Sequence, residues 1–502
     1  MAKANGKLPP KGTKAELAEI DTLMKKAVDL HRKEHLDAAV GIYRQVLEKK
    51  PGFIPAIGML GTALGQMHQF DASIKLLKEA VKAKPDYAVY YNNLASTYIQ
   101  SKNYKEALKI VKQAIDLDGN YVDAQNTMGV ILGHLDRYDE ALIAYDKSLS
   151  IKKDDPETLI KIALLHHLFN KLDLALETIN KVIEKDPKHN NAIFIRSLTN
   201  LKKGNFQQGW QDYESRIEKF NIKTHHKQAT WRGEDIKGKI ILIFSEQGLG
   251  DTINFSRYAR LVKDLGPAHV VLRVQDPLHE LLKNSSFFKD ITVIPSNKKP
   301  QHFAYQVPIL SLPGIFKTNG DTIPEFGSYI DAEKNIVDTY KDKFKKIKKL
   351  KVGLVWRGNP DYLRDDIRSI ELEDFLPYIK SSKVQIISLQ KNKTKSDEKF
   401  LKKNSQILDV MDQVETFSDT AGIIENLDLV ISVDTSVAHL SGAMGKKTWT
   451  LIPFSPDWRW LMYRDDTPWY QSMTLFRQKS VGDWQPVLES IKKNLAEWVA
   501  NS

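Results

Sequence analysis

Residues 237–266 read KGKIILIFSEQGLGDTINFSRYARLVKDLG. The apolar run through Phe244, the turn holding Gly248, Gly250 and Asp251, and the helical pattern beyond it make one strand–turn–helix unit. AHVVLRV (268–274) and DITVIP (290–295) continue the beat, which is the mark of a parallel βαβ sheet. A second series begins at KVGLVW (351–356) and runs through VQIISLQ, a helix near FSDTAGIIENL, the buried strand LDLVISV, a helix from Thr435, and TWTLI. Between the two series, eight lysines fall between Lys334 and Lys351. Ile336, Tyr340, Phe344 and Ile347 are spaced there as one helix face, so the stretch reads as an amphipathic connector with a solvated side and not as a nucleic-acid site.

At 502 residues the chain has room for about three domains. Its 42% hydrophobic and 27% charged residues describe a folded chain. The net charge of +11 favours acidic partners, including an anionic membrane surface met peripherally. With no cysteine, disulfides, thiolate metal sites and cysteine nucleophiles are excluded. The first fifteen residues are polar and basic without an apolar signal core, and no apolar run is long enough to span a bilayer. The expectation is a cytoplasmic protein with a disordered basic tail over residues 1–15.

Residues 16–220 carry a 34-residue repeat in about six copies. Small residues recur at Ala39, Ser73, Ala107, Ala141, Ala175 and Gly209. Large ones stand three places earlier (Leu36, Phe70, Tyr104, Tyr138, Leu172, Phe206) and four places later (Tyr43, Leu77, Val111, Tyr145, Ile179, Tyr213). Pro51, Pro85, Gly119, Lys153 and Pro187 punctuate the copies. Two short amphipathic helices per copy, touching at a small residue, account for these columns, and the pattern resembles the tetratricopeptide repeat. Stacked copies present a concave groove, read as a site for a protein or peptide partner; a rigid spacer or dimerisation arm is the plainer alternative. Arg196 and Ser197 stand where the last copy should carry a core pair, which suggests a terminal unit that docks elsewhere.

Two sheets side by side place ligands beyond the carboxyl ends of their strands. In GLGDTINF the glycines allow a tight turn before helix amides that point toward an anion. The sixth place of a dinucleotide fingerprint is Ile253, and no GxxxxGK[ST] loop exists, so hydride and nucleoside-triphosphate chemistry are unsupported. Asp251 is either a cap for the amides of Thr252 to Asn254 or a catalytic acid–base group. In LDLVISVDTSVAHLSGAMG, Asp434 ends a strand, while Thr435 and Ser436 open a helix whose hydroxyls and amides suit a diphosphate. His439 lies in that helix's first turn, as ligand contact or as packing. Trp458, Arg459 and Trp460 offer faces for stacking or for the core. The pairs His166–His167 and His225–His226 lack metal-ligand spacing, and no GxSxG elbow is present.

Together GLGDTINF, KVGLVWRGNP, RSIELEDFLPYI, LDLVISVDTSVAHLSGAMGKKTWTLIPFSPDWRW and TPWYQSM resemble the heptosyltransferase-like glycosyltransferase family 9, in a branch with N-terminal tetratricopeptide repeats. The resemblance implies an α-solenoid followed by a GT-B-like pair of Rossmann-like domains: an acceptor-side domain over 229–333 and a nucleotide-sugar donor domain over 351–502. It implies a metal-independent inverting glycosyltransferase without a cofactor, and a nucleotide sugar as co-substrate. Asp251 would be the general base, with Gly248 and Gly250 in its turn. Asp434, Thr435, Ser436 and His439 would hold nucleotide and diphosphate, Arg368 would face the leaving phosphates, and Gln390 would touch ribose or base. Asn254, Phe255 and Ser256 replace the family's acceptor-facing segment, so a lipopolysaccharide acceptor does not carry over. The alternatives are a catalytically silent repeat adaptor and a transferase acting on a cell-surface glycan intermediate.

Overall fold

The computed structural model describes residues 14–222, 227–300, 302–360 and 364–502. The expected tail falls largely outside them, as do His225 and His226; at its end, Lys14 and Ala15 already belong to a helix, Lys14–Arg32. No described helix is long and apolar enough to cross a membrane.

Helices alternate through the first two hundred residues, and the second helix of each pair begins at Leu36, Phe70, Tyr104, Tyr138, Leu172 and Phe206, which is the first column of the repeat. The small column is the point of closest packing: Ala39, Ser73, Ala107, Ala141 and Ala175 are fully buried. At Gly209 a Cβ would stand 2.6 Å from Leu201. Two residues before each second helix the chain turns left-handed, at Glu34, His68, Lys102, Asp136, Asn170 and Gly204. Where the proline column lapses at Lys153, Asp155 caps the next helix by accepting from the Thr158 N–H at 3.0 Å, and Pro156 opens that helix.

The chain divides into two compact units at Leu165/His166, earlier than the expected break near residue 220. In the first unit, apolar residues from successive helices form a core that includes Leu77, Leu94, Tyr98, Ala107 and Val111. Glycines there make room for tyrosines, since a Cβ on Gly129 would lie 2.4 Å from the Tyr145 ring.

The second unit holds the last repeat helices and two parallel sheets. Strands β1 (Ala229–Thr230), β2 (Ile240–Phe244), β3 (His269–Val274), β4 (Thr292–Pro295) and β5 (Tyr305–Pro308) lie in the order β1-β5-β2-β3-β4. Strands β6 (Leu350–Val355), β7 (Val384–Ser388), β8 (Ile407–Asp409), β9 (Leu429–Val433), β10 (Thr448–Ile452) and β11 (Met473–Arg477) lie in the order β11-β10-β9-β6-β7-β8. Counted along the chain, the second sheet is 3-2-1-4-5-6, the doubly wound order in which ligands settle where the winding reverses. That reversal lies between β6 and β9, and the first sheet reverses between β2 and β5. The lysine-rich connector forms helix Lys334–Phe344, with Tyr340 and Phe344 buried and Ile336 against Gly422 of helix Phe417–Glu425.

Residues 196–219 explain the early boundary. Arg216 is fully buried and forks onto Glu246, in the turn after β2, with Nε to Oε2 at 3.0 Å and Nη2 to Oε1 at 2.6 Å. Arg196, one of the anomalous pair, forks onto Asp212 at 2.7 and 2.9 Å and ties the last two long repeat helices together.

Candidate functional site

Both winding reversals carry a loop that opens a helix, and the two helices meet. Helix Leu249–Phe255 follows β2, and helix Ser436–Ala443 follows β9. They touch at Gly250, where a Cβ would stand 2.8 Å from His439 Cδ2 and 3.5 Å from Ser436 Cα. Gly250 is therefore needed for close helix approach. The left-handed residue of the turn is Gln247, while Gly248 has an ordinary extended backbone, which corrects the expected use of the glycines.

Asp251 reaches backward: Oδ2 accepts from the Gly248 N–H at 2.9 Å, in place of the forward amides expected of a cap. Its Oδ1 pairs with Arg459, whose other terminal nitrogen bonds Asp457 at 2.7 Å. Arg459 also lies over the Trp458 ring, 4.2 Å from its centroid. Burial raises the Asp251 carboxyl above the usual carboxylate range, with Arg459 pulling the other way and Asp457 adding to the rise. The side chain keeps 17% exposure, so the group is reachable from solvent.

On the facing loop, burial likewise raises Asp434, opposed chiefly by Arg368. Arg368 donates from Nη1 to the Asp434 carbonyl at 3.1 Å and from Nε to Asp365 at 2.8 Å. Ser436 starts its helix half-buried. Thr435 is engaged with the strand before it. The Thr435 hydroxyl lies 3.0 Å from the Ser432 hydroxyl, which also stands 2.6 Å from the Val433 carbonyl.

His439 is held for packing. Nδ1 lies 3.0 Å from the Tyr470 hydroxyl, the ring stacks on Trp460 at 5.1 Å, and burial lowers its pKa to about 3. A neutral imidazole cannot act as the cation of a diphosphate site. Gln390 is a correction. Its Oε1 accepts from the Trp356 and Arg357 amides at 3.2 and 2.9 Å, and Nε2 donates to the Arg357 and Asn392 carbonyls at 3.1 and 3.2 Å. All four positions of the amide are spent on backbone, so Gln390 shapes the loop after β6 and leaves nothing for a ribose. That loop abuts Arg368, since a Cβ on Gly358 would meet its guanidinium at 2.5 Å.

The sequence brought Gly248, Gly250, Asp251, Arg368, Asp434, Thr435, Ser436 and His439 to one place, with Gln390 one loop away. It missed Arg459 as Asp251's partner. The available signal was a lone cation between two tryptophans in a loop otherwise carrying an acid, Asp457. Trp458 and Trp460 are core, at 3% and 1% exposure. Among the described residues, no group of three or more His, Asp or Glu side chains is gathered as a metal site requires.

Tetratricopeptide-repeat family models match residues 64–131 and 122–155. The repeats are tetratricopeptide repeats. The chain is also similar to Protein FlbA of Caulobacter vibrioides, 22% identical over 399 residues, covering 74% of this chain and 67% of FlbA. Because the repeat helices end at Lys219, a match of that length continues into the α/β part. Among solved structures, the chain resembles a thermophilic tetratricopeptide-repeat protein of Thermus thermophilus (21% identity, 36% of this chain and 99% of that one, TM-score 0.35). It also resembles a tetratricopeptide-repeat protein of Parabacteroides merdae (18% identity, 40% and 79%, TM-score 0.33).

Proposed function

We propose that the α/β part is a metal-independent inverting glycosyltransferase of GT-B architecture, and that the repeats hold its protein acceptor. The observation that carries this reading is the meeting of two switch-point helices at Gly250 and His439, which brings the turn that holds Asp251 on one sheet against the Ser436–Ala443 helix start of the other. In this reading the acceptor hydroxyl gives its proton to Asp251 as its oxygen forms a bond to the anomeric carbon, and the bond from that carbon to the diphosphate oxygen breaks. Burial raises the Asp251 carboxyl toward the range of a useful base. The departing negative charge is met by the Ser436–Ala443 helix amides and by Arg368, which would take the place of a divalent ion. Tetratricopeptide repeats supply a surface for protein interaction, which suits a polypeptide acceptor.

The adaptor reading draws on a specific fact of its own: Asp251 is already committed to Arg459 and Gly248. Nucleoside-diphosphate release from a panel of nucleotide sugars, with chelator present and water as acceptor, separates the two. The transferase reading expects release from at least one donor, reduced ~10²- to 10⁴-fold in Asp251→Asn. No release from any donor, or equal release by the variant, favours the adaptor.

A further inference from the structure

The loop Phe454–Trp460, which carries Asp251's partner, is held by the repeats. Asn170 Nδ2 donates to the Phe454 carbonyl at 2.6 Å. Lys202, 1% exposed, donates from Nζ to Ser455 Oγ at 2.9 Å and to the His167 carbonyl at 3.2 Å. Trp210 meets Trp458 edge to face at 5.2 Å. Two residues beyond Ser455 in the same loop, Asp457 attracts the Lys202 ammonium electrostatically and accepts from Arg459, which in turn pairs with Asp251. A lysine buried this deeply is costly unless its ammonium is used, and here its bonds go to the preceding helix pair and to this loop. A lysine serving only the repeat would need no partner on the second sheet.

We propose that the last repeat helices are a fixed wall of the site, and that Lys202 is a positioning residue for Asp251, acting by holding at Ser455 the loop whose Asp457 and Arg459 reach Asp251. The inference rests on the transferase reading for its effect on turnover; its effect on the loop stands apart from that reading. The Trp210–Trp458 contact fixes the loop's apolar side, so Lys202 governs its polar side, where Asp457 and Arg459 lie.

Hydrogen–deuterium exchange on the full chain tests it, with Lys202→Met and, as a milder change that removes only the loop's acceptor, Ser455→Ala. The expected result is at least fivefold faster exchange in residues 454–460 and 248–256 in both variants, with β10 unchanged. In an Arg459→Ala background, Lys202→Met should add nothing further at 248–256, whereas general loosening would add in full. Turnover of the donor found above should show kcat down tenfold or more with donor KM within twofold. Unchanged exchange at 248–256, additive effects with Arg459→Ala, or faster exchange with unchanged kcat each overturns the proposal. If the wild type turns over no donor, the transferase reading fails, and the exchange and additivity results still decide whether Lys202 positions Asp251.

Discussion

At Arg216, one guanidinium serves Glu246, Glu214, Ser311 and a backbone carbonyl without exposing any of its surface. Removing it leaves Glu246, itself buried, as an unpaired charge whose carboxyl burial already raises. Arg216→Ala should therefore lower the stability of the second unit by about 3–5 kcal/mol; equilibrium denaturation showing less than about 1 kcal/mol would mean that the pair is dispensable. His439 gives a pH prediction. Its folded pKa of about 3 lies below the ordinary 6.5, so the unfolded chain binds the extra proton first as pH falls. Stability from this group is complete above pH 6.5 and declines below it by about 1.4 kcal/mol per pH unit until near pH 3. Denaturation midpoints at pH 7 and pH 5 should differ less in His439→Gln than in the wild type. Residue identities around the site could be read from the sequence because they sit at strand ends, where short motifs mark them. Partnerships could not. Arg459 and Asp251 are 208 positions apart, and nothing local in either segment names the other.

Among the elements, the repeat was legible because burial forces residue type. A column that must be small or large leaves its mark in every copy, and the helices start in its register. The left-handed column at Glu34, His68, Lys102, Asp136, Asn170 and Gly204 left no such mark, since only one copy uses glycine. A single left-handed residue costs roughly 1–2 kcal/mol, small enough for a well-packed helix pair to carry. Glu34→Gly should thus stabilise the first unit by about 1 kcal/mol, seen as a raised denaturation midpoint; an unchanged or lowered midpoint would show that the turn is not strained. The short strands β1, β5, β8 and β11 were not anticipated. Of these, β1 and β8 have only two or three residues, too few to set a period. The opposite case is Gly250, whose neighbour His439 is pinned by Tyr470 and Trp460 and cannot retreat. Gly250→Ala should cost about 1–3 kcal/mol by forcing the two switch-point helices apart, and thermal unfolding that matches the wild type would refute that close fit.

For the whole molecule, the chain forms two compact units that meet in sequence at Leu165/His166, inside the repeat segment. Sequence periodicity reports which residues fold alike, whereas compactness depends on which surfaces are jointly buried. Trp210, Tyr213 and Arg216 lie within the repeat segment of the sequence, and their side chains are buried with the α/β part. A fragment of residues 229–502 loses all three. It should melt roughly 10 °C below the second unit of the full chain, given about 3–5 kcal/mol lost and a shift of about 2–4 °C per kcal/mol in a unit of this size. Equal melting temperatures would restore the boundary expected from the repeat. The account's central claim is that two facing switch points grip a pyrophosphate without a metal. The most direct measurement is calorimetric titration of the full chain with nucleoside diphosphates in excess chelator, comparing wild type with Arg368→Ala. The account predicts saturable binding at one site for at least one diphosphate, weakened tenfold or more by the substitution; binding that appears only when a divalent cation is restored, or that ignores Arg368, would contradict it.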